Sequence, residues 1–290
     1  MGKLLLIGGG IDKGTYIDGH FDVGTPQNHN FIEKGILRGI LNASSKGKDS
    51  NIQIVTTASQ IPMEVGEEYK RAFELLGATN VEILHIPKRE VALQEATYSI
   101  IEKCDVAMFT GGDQLRLTSI LGGTPLHDLI ARKYRDTDFV YAGTSAGAAA
   151  ASETMIYQGR SAEALLKGEI KITSGLGLID DVVIDTHFVQ RGRFGRLFQA
   201  VTSNPKVLGI GLGEDTGLLI EGDQLTCVGT GQVIIVDGRL IADTNITQVE
   251  LGSPLSIKNL IVHVMSELDI YNASTHNLEL FQHPIINLEE

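Results

Sequence analysis

Short apolar runs rich in β-branched residues alternate with amphipathic segments along the first half of the chain. Runs that are apolar on both faces are typical of strands covered by helices on both sides of a sheet. Apolar residues that recur every three to four positions indicate helices between those strands. The alternation therefore predicts an α/β fold with a doubly wound, mostly parallel sheet. The predicted strands are 4–7, 52–58, 81–86, 105–109 and 139–142, and the predicted helices are 31–41, 65–76, 91–102 and 126–133.

The last third of the chain has a different pattern, in which tight turns separate short apolar runs. Turns at 221–224 and 236–239 predict hairpins, and hence an antiparallel C-terminal extension of the sheet. No linker, repeat or low-complexity block divides the sequence, so we expect one domain over residues 1–290, with a possible C-terminal subdomain from about residue 207. The strands predicted in this part are 182–185, 207–212, 217–221, 225–228 and 232–236, with a further β-like run at 257–265.

Composition and charge narrow the class of protein. Hydrophobic residues make up 42% and charged residues 21% of the 290 residues, which favours a folded globular protein over a disordered one. The formal net charge of −12 disfavours nucleic-acid binding, which needs a basic surface, and is compatible with a cationic substrate. Every apolar run is shorter than the roughly 18 residues of a membrane span, so we expect no membrane partner.

The cysteines and the first residues bear on location. Cys104 and Cys227 belong to no CxxC pair, and two cysteines alone form no disulfide framework, which favours a reducing compartment. The apolar run before the glycines at 8–10 is too short for a signal peptide. These features together predict a cytoplasmic protein.

Residues 143–147 have the pattern Gly-x-Ser-x-Gly, directly after the apolar run 139–142 and before a run of small residues. A strand, a sharp turn and a helix form the context in which this pattern indicates a nucleophile elbow. We therefore predict that Ser145 is a nucleophile, and that the Ala146 amide at the helix start stabilises an oxyanion. The alternative is a glycine-rich turn in which the serine only caps the helix.

A nucleophilic serine needs a base, and the base needs a carboxylate that orients it. Among the eight histidines we favour His187, because it follows a predicted strand whose carboxyl end is where an open sheet meets its ligand. For the carboxylate we favour Glu214, which also follows a strand and is therefore held firmly. Glu163, in a polar stretch at 161–165 with the character of a surface helix, stays open as the alternative acid.

Two glycine turns follow predicted strands. In the turn 111–114, the amides of Gly112 and Asp113 could form the second half of an oxyanion hole, and Gln114 could hydrogen-bond the substrate. The three glycines at 8–10 lack both the spacing of a dinucleotide-binding loop and the lysine of a P-loop, so no nucleotide cofactor is expected.

Three arginines follow His187 closely, at Arg191, Arg193 and Arg196. Guanidinium groups beside a catalytic histidine suit recognition of a substrate carboxylate, although a basic helix start paired with acids is the alternative. Asp185 precedes His187 by two residues and is interpreted as a substrate contact. Cysteines and histidines are not grouped at ligand spacing, so no metal site and no cofactor are predicted.

Three segments, 109–117, 143–147 and 185–193, closely resemble the cyanophycinase family of serine peptidases, which also contains aspartyl dipeptidase. The segments 58–62 and 65–69 are similar as well, so that the resemblance extends from about residue 3 to about residue 236. The Gln-Arg-Gly-Arg element at 190–193 best separates the sequence from aspartyl dipeptidases, which are shorter and lack it. Thr186 stands where many members have glutamine, and the loop 14–30 is longer than expected.

The resemblance implies exolytic hydrolysis of cyanophycin, a polyaspartate backbone with arginine on each β-carboxyl, to β-aspartyl-arginine. It also implies a flavodoxin-like core related to class I glutamine amidotransferases, and a homodimer. It assigns Ser145 as nucleophile and His187 as base, and favours Glu214 over Glu163 as the acid. The positions that it assigns to the substrate pocket are Gln114, Asp185, Arg191, Arg193 and Arg196, and Thr186, although it departs from the family, is predicted to bind the substrate with them.

Three other functions stay open at this point. The first is an aspartyl or isoaspartyl dipeptidase of the same family. The second is a non-catalytic relative that binds a ligand, which the intact Ser145 and His187 disfavour. The third is an amidotransferase-like glutaminase, which normally has cysteine at the position of Ser145.

Overall fold

The computed structural model describes residues 1–14 and 31–282. Most of the loop predicted at 14–30 and the last eight residues lie outside the described residues. The helices are α1 (Phe31–Lys34), α2 (Ile36–Ala43), α3 (Pro62–Leu75), α4 (Arg89–Ala92), α5 (Glu95–Lys103), α6 (Gln114–Leu121), α7 (Pro125–Asp136), α8 (Ala146–Ala149) and α9 (Phe194–Ser203).

The strands of the first half are β1 (Lys3–Ile7), β2 (Asn51–Val55), β3 (Asn80–Leu84), β4 (Val106–Phe109), β5 (Val140–Thr144) and β6 (Ser152–Gln158). Those of the second half are β7 (Lys171–Ser174), β8 (Ile179–Asp185), β9 (Leu208–Leu212), β10 (Thr216–Glu221), β11 (Gln224–Gly229), β12 (Val233–Asp237), β13 (Asp243–Thr244), β14 (Ile257–Lys258), β15 (Ile261–Met265), β16 (Ile270–Asn272) and β17 (Asn277–Glu279).

A nine-stranded sheet forms the centre of the molecule, in the order β17-β16-β11-β10-β1-β5-β4-β2-β3. The five strands from β1 to β3 in this order are parallel, which confirms the predicted α/β core. Successive residues of β1 belong to different apolar clusters: Leu4 and Leu6 to one, Leu5 and Ile7 to the other. Because side chains alternate along a strand, this division shows that both faces of the sheet are covered.

The predicted antiparallel extension is confirmed on one side of β1. Strand β10 pairs with it antiparallel, and the turn at 221–224 connects β10 to β11, with Glu221 opposite Gln224. Strands β16 and β17 continue this edge of the sheet.

A second sheet, of six strands in the order β15-β12-β9-β8-β6-β7, was not predicted. Its strands come from distant parts of the sequence, and β6, β8 and β9 are parallel to one another. The turn predicted at 236–239 does not close a hairpin, because β12 pairs with β9 and β15 instead. Strands after residue 207 therefore contribute to both sheets. None of the described helices combines the length and the apolar character that a membrane crossing needs.

Four strand ends bring the site together. Ile7 lies opposite Thr144 in the parallel pair β1–β5, so the glycines after residue 7 and Ser145 leave the sheet side by side. The His187 amide then donates a hydrogen bond to the Gly8 carbonyl at 2.7 Å, and the Phe188 amide donates one to the Leu212 carbonyl at 3.0 Å. These bonds join the ends of β8 and β9 to the end of β1.

Candidate active site

Ser145 lies at the sharp turn between β5 and α8, with φ of +50°, a value that costs energy for a residue with a side chain. Close backbone contacts hold this turn. A Cβ on Gly143 would lie 2.5 Å from the Gly147 carbonyl oxygen, and a Cβ on Gly147 would lie 2.4 Å from that of Phe109. The Ser145 side chain makes no helix-capping hydrogen bond, so the capping interpretation is wrong. The turn leaves Oγ directed at a histidine.

That histidine is His187, whose Nε2 lies 3.1 Å from the Ser145 Oγ. On the other side of the ring, Nδ1 lies 2.6 Å from Oε1 of Glu214. The three side chains are partly buried and form one continuous hydrogen-bonded chain. Such a chain lets the imidazole take a proton from the serine while the carboxylate stabilises the imidazolium that forms.

The structure brings Glu214, and not Glu163, to the imidazole. Glu163 is exposed and lies 3.6 Å from Arg160, its ion-pair partner, in the connection between β6 and β7. The segment 161–165 consists of turns, so the surface helix predicted there is absent from this described segment. Glu163 therefore serves no role at Ser145 in this arrangement.

Burial lowers the pKa of His187 below its ordinary value of 6.5, because the charged imidazolium loses solvation. The hydrogen bond to Glu214 opposes this effect, and the positive charge of Arg191 adds to it. Since the lowering prevails, the imidazole is neutral at pH 7 and able to accept a proton.

Gly9 and Gly10 form the floor of the site, a role that the sequence interpretation missed. A Cβ on Gly9 would lie 2.3 Å from Cε1 of His187, and a Cβ on Gly10 would lie 2.9 Å from the Glu214 side chain. The Gly9 carbonyl also accepts a hydrogen bond from the Asp215 amide at 2.9 Å. Only glycine leaves room for the ring and the carboxylate here. Consecutive glycines at a strand end were the available signal.

The turn after β4 lies beside Ser145. The Cβ position of Gly111 is 3.4 Å from Cβ of Ser145, and Gly112 has φ of +140° and contacts the Ala58 carbonyl. The Asp113 amide, however, donates a hydrogen bond to that carbonyl at 3.0 Å, and the Asp113 side chain caps α6. The prediction that Asp113 contributes to the oxyanion hole is therefore wrong, and Gly112 and Ala146 remain as its candidate amides.

Two of the predicted substrate contacts are engaged within the protein. Nε2 of Gln114 donates a hydrogen bond to the Ile156 carbonyl at 3.1 Å, and so connects α6 to β6. Thr186 is buried, and its carbonyl accepts a hydrogen bond from Arg193 at 2.8 Å. Neither residue lines the cleft at Ser145.

Asp185 is also turned inward, with 3% of its surface exposed. Arg193 lies 3.0 Å from Oδ1 of Asp185, and Nε of Arg196 lies 2.9 Å from Oδ2 in an ionic contact that lacks hydrogen-bond alignment. The carboxylate also accepts the Thr186 amide at 3.0 Å. The interpretation of Asp185, Arg193 and Arg196 as open substrate contacts is therefore wrong, because Asp185 is buried and pairs with both guanidinium groups within the protein.

Arg191 alone of the three arginines faces the cleft, where it is exposed. The cleft has a volume of about 360 Å³. Lys13, Val65 and Tyr69 line it as well, and sequence reasoning singled out none of them as a site residue. The remaining lining residues are Gly9, Gly10, Gly111, Gly112, Thr144, Ser145 and His187. Within residues 1–14 and 31–282, His, Cys, Asp and Glu side chains form no group of three that could hold a metal ion.

Comparison with known proteins shows the family. A sequence model of peptidase family S51 matches residues 24–228. The chain belongs to peptidase family S51. It is 38% identical to a cyanophycinase of Synechococcus elongatus over 234 residues, which cover 80% of this chain and 73% of that protein. It is 40% identical to a cyanophycinase of Trichormus variabilis over 238 residues, covering 82% and 80%. A cyanophycinase of Geminocystis herdmanii is 36% identical over 231 residues, covering 79% and 85%.

Two solved structures share the fold of this family S51 chain. One is a peptidase from an acI-B1 Actinobacterium, with a TM-score of 0.62, 22% identity, and coverage of 90% of this chain and 96% of that one. The other is a candidate peptidase E protein from Listeria monocytogenes EGD-e, with a TM-score of 0.52, 17% identity, and coverage of 80% and 100%. At these identities the likeness concerns the fold. Membership of family S51 and the cyanophycinase relatives show that the chain is a peptidase.

Proposed function

We propose that this chain is a serine-type exopeptidase that hydrolyses cyanophycin to β-aspartyl-arginine, with Ser145, His187 and Glu214 as its catalytic triad. The observation that carries the proposal is the hydrogen-bonded chain from the Ser145 Oγ through His187 to Glu214, with distances of 3.1 and 2.6 Å. Three cyanophycinases that are 36–40% identical to this chain support the choice of substrate.

Acylation begins when Oγ of Ser145 attacks the carbonyl carbon of a backbone amide and Nε2 of His187 takes the hydroxyl proton. The amides of Gly112 and Ala146 stabilise the negative charge that develops on the carbonyl oxygen. His187 then gives its proton to the departing amine as the carbon–nitrogen bond breaks. The acyl group remains on Ser145 as an ester, while Glu214 stays ionised and holds the imidazole in place.

Deacylation repeats these steps with water in place of the serine. His187 takes a proton from the water, whose oxygen attacks the ester carbonyl. The ester bond to Ser145 breaks, and the serine oxygen regains its proton from His187. The three side chains return to their starting state, and the substrate has gained one molecule of water.

Recognition of the substrate would use Arg191. Each arginine of cyanophycin is joined to the backbone through its α-amino group, so its α-carboxylate is free for a guanidinium to bind. Arg193 and Arg196 do not serve this purpose in the proposal, since both are paired with Asp185.

The test is incubation of the purified protein and of Ser145→Ala with insoluble cyanophycin, followed by measurement of clearing and of released β-aspartyl-arginine. We expect clearing by the unsubstituted protein alone. If neither protein clears the polymer, the substrate is wrong, and a panel of aspartyl and isoaspartyl dipeptides tests the alternative activity. If both clear it, Ser145 is not the nucleophile. A fluorophosphonate probe that leaves Ser145 unlabelled would favour a non-catalytic, ligand-binding relative.

The proposal includes a cytoplasmic homodimer. The two cysteines, Cys104 and Cys227, are free and buried, which suits a reducing compartment. The homodimer rests on the family resemblance alone. Light scattering coupled to size-exclusion chromatography measures the mass in solution, and a mass near 31 kDa would contradict the dimer.

A further inference from the structure

A second cation, Lys13, lies in the cleft and has no role in the proposed mechanism. Its Nζ lies 2.6 Å from Oε2 of Glu68 and 4.9 Å from the centroid of the Tyr69 ring, so two residues of α3 hold it in place. The side chain is 23% exposed and lines the same cleft as Ser145 and His187. Fixing a lysine costs side-chain entropy, which a partly exposed ion pair barely offsets. Its fixed position in the cleft therefore suggests a ligand.

The charge of the cleft indicates what kind of ligand this is. Lys13 and Arg191 are cationic, and none of the described residues that line the cleft is acidic. Glu68 and Glu214 contact Lys13 and His187 but do not line the cleft themselves. A lysine ammonium has three N–H donors, of which Glu68 takes one. Glu68 offsets the charge of Lys13, but the charged side chains among the described residues that line the cleft are both cations, which suits an anionic group of the substrate.

We infer that Lys13 binds a carboxylate of the substrate and is a specificity residue of this peptidase, an inference that rests on the proposed function. A β-aspartyl-arginine unit at the end of the polymer has two free carboxylates, the α-carboxylate of arginine and that of aspartate. Arg191, with its planar fork, takes one of them, and Lys13 takes the other. The aspartate carboxylate is free only at a chain end, so two cations in one cleft favour release of a terminal unit.

The test measures binding of β-aspartyl-arginine by calorimetry to the Ser145→Ala protein, which cannot turn over a substrate. We expect Lys13→Met to weaken binding about tenfold, the usual effect of losing one charge-assisted hydrogen bond. Lys13→Arg should recover most of the affinity, because it keeps the charge. Lys206→Met is the matched control, since Lys206 forms an ion pair with Asp181 at 2.7 Å on the surface. It should leave binding unchanged.

Two analogues identify the carboxylate that Lys13 binds. In β-aspartyl-agmatine the arginine carboxylate is absent, and in the second analogue the aspartate α-carboxylate is an amide. Lys13→Met should leave binding nearly unchanged for the analogue that lacks the carboxylate bound by Lys13, because that contact is already absent. For the analogue that keeps this carboxylate, Lys13→Met should weaken binding about tenfold. Equal losses for all three ligands would overturn the inference, since they would indicate a structural effect of Lys13.

Glu68→Gln separates a binding role from a merely structural ion pair. This change leaves Lys13 charged, so we expect affinity for β-aspartyl-arginine to stay within about threefold of the parent protein. If Glu68→Gln and Lys13→Met cause the same tenfold loss, the ion pair itself is what matters and the inference fails. Binding by the parent with no effect of Lys13→Met overturns only the inference. No binding of any ligand to Ser145→Ala overturns the proposed function together with it.

Discussion

Ionisable residues at the end of strand β8 and just after it divide into two groups with opposite surroundings. Asp185, Arg193 and Arg196 turn into the protein, where the carboxylate is 3% exposed and lies within 3.0 Å of both guanidinium groups. His187 and Arg191, from the same short segment, face the cleft at Ser145. The members of one group pair with each other, and the other group keeps its donors and acceptors for a ligand.

The two acids after β9 show the same division. Glu214 contacts the His187 ring, whereas its neighbour Asp215 is 2% exposed and accepts hydrogen bonds from the Asp12 amide and the Thr230 hydroxyl. Asp215 has φ of +46° and His187 has φ of +48°, so the backbone is in the left-handed region at both places. Residues that are adjacent in sequence thus reach different environments, and charge type alone does not tell which of them is functional.

Gly9→Ala should have the largest effect on the cleft-facing group. The added Cβ would lie 2.3 Å from the His187 ring and must displace it from Ser145. Since the members of the proposed triad act as a unit, we expect kcat to fall about 10³-fold or more. Steady-state hydrolysis measures the loss, with circular dichroism to verify folding.

Gly77→Ala is the control for backbone strain in that experiment. Gly77 has φ of +88°, close to the +103° of Gly9, but nothing lies within 4 Å of its Cβ position. It should lose stability without losing kcat. A Gly9→Ala protein as active as Gly77→Ala would show that the glycine floor does not position His187.

Asp185→Asn should have the largest effect on the inward group. The change leaves the buried Arg196 and the half-buried Arg193 without their shared carboxylate, which we expect to lower the free energy of unfolding by about 3 kcal/mol. Urea denaturation measures it. Asp181→Asn, on the exposed surface, is the control and should change the free energy by less than about 1 kcal/mol. Unchanged stability with a raised KM would instead restore Asp185 as a substrate contact.

The sequence was sufficient for those parts of the molecule that depend on local pattern. The five parallel strands and the β10–β11 hairpin follow from hydrophobic runs and turn residues that lie within a few positions of one another. The site prediction at Ser145 rested likewise on a strand, a turn and a helix that are contiguous in the chain.

Long-range pairing decides the rest, and no local pattern reports it. The six-stranded sheet joins β6 to β8 and β12 to β15. A short apolar run predicts a strand but does not indicate which other strand it pairs with. The Asp113 amide is engaged because the Ala58 carbonyl, 55 positions away, is beside it. The choice between Glu214 and Glu163 needed the distance to His187, which depends on the bonds between the ends of β1, β8 and β9.

Asp215 offers a pH-dependent test of the inward environment. Burial raises the pKa of this carboxyl from 3.8 to about 6, so the folded protein holds a proton that the unfolded chain releases near pH 4. The contribution of Asp215 to the free energy of unfolding is fully present below pH 4 and is lost as the pH rises through 6. Asp215→Asn removes the titration, so its free energy of unfolding relative to the parent should rise by about 2 kcal/mol between pH 4 and pH 7. A pH-independent difference would contradict this account.

Arg191→Gln tests the cleft-facing group and should have a smaller effect. We expect KM for the substrate to rise about tenfold, because one charge-assisted contact is lost.

Arg191 also lowers the pKa of His187, since its positive charge disfavours the imidazolium. The base must be neutral to act, so activity falls on the acidic side as His187 takes up a proton. Without Arg191 that pKa rises, and the acidic limb of kcat/KM should move to higher pH. Arg193→Gln should move this limb less, because Arg193 affects the pKa of His187 less than Arg191 does and is paired with Asp185 at 3.0 Å. If the two variants moved the acidic limb equally, the inward and cleft-facing arginines would affect the pKa of His187 alike, which would contradict the division between them.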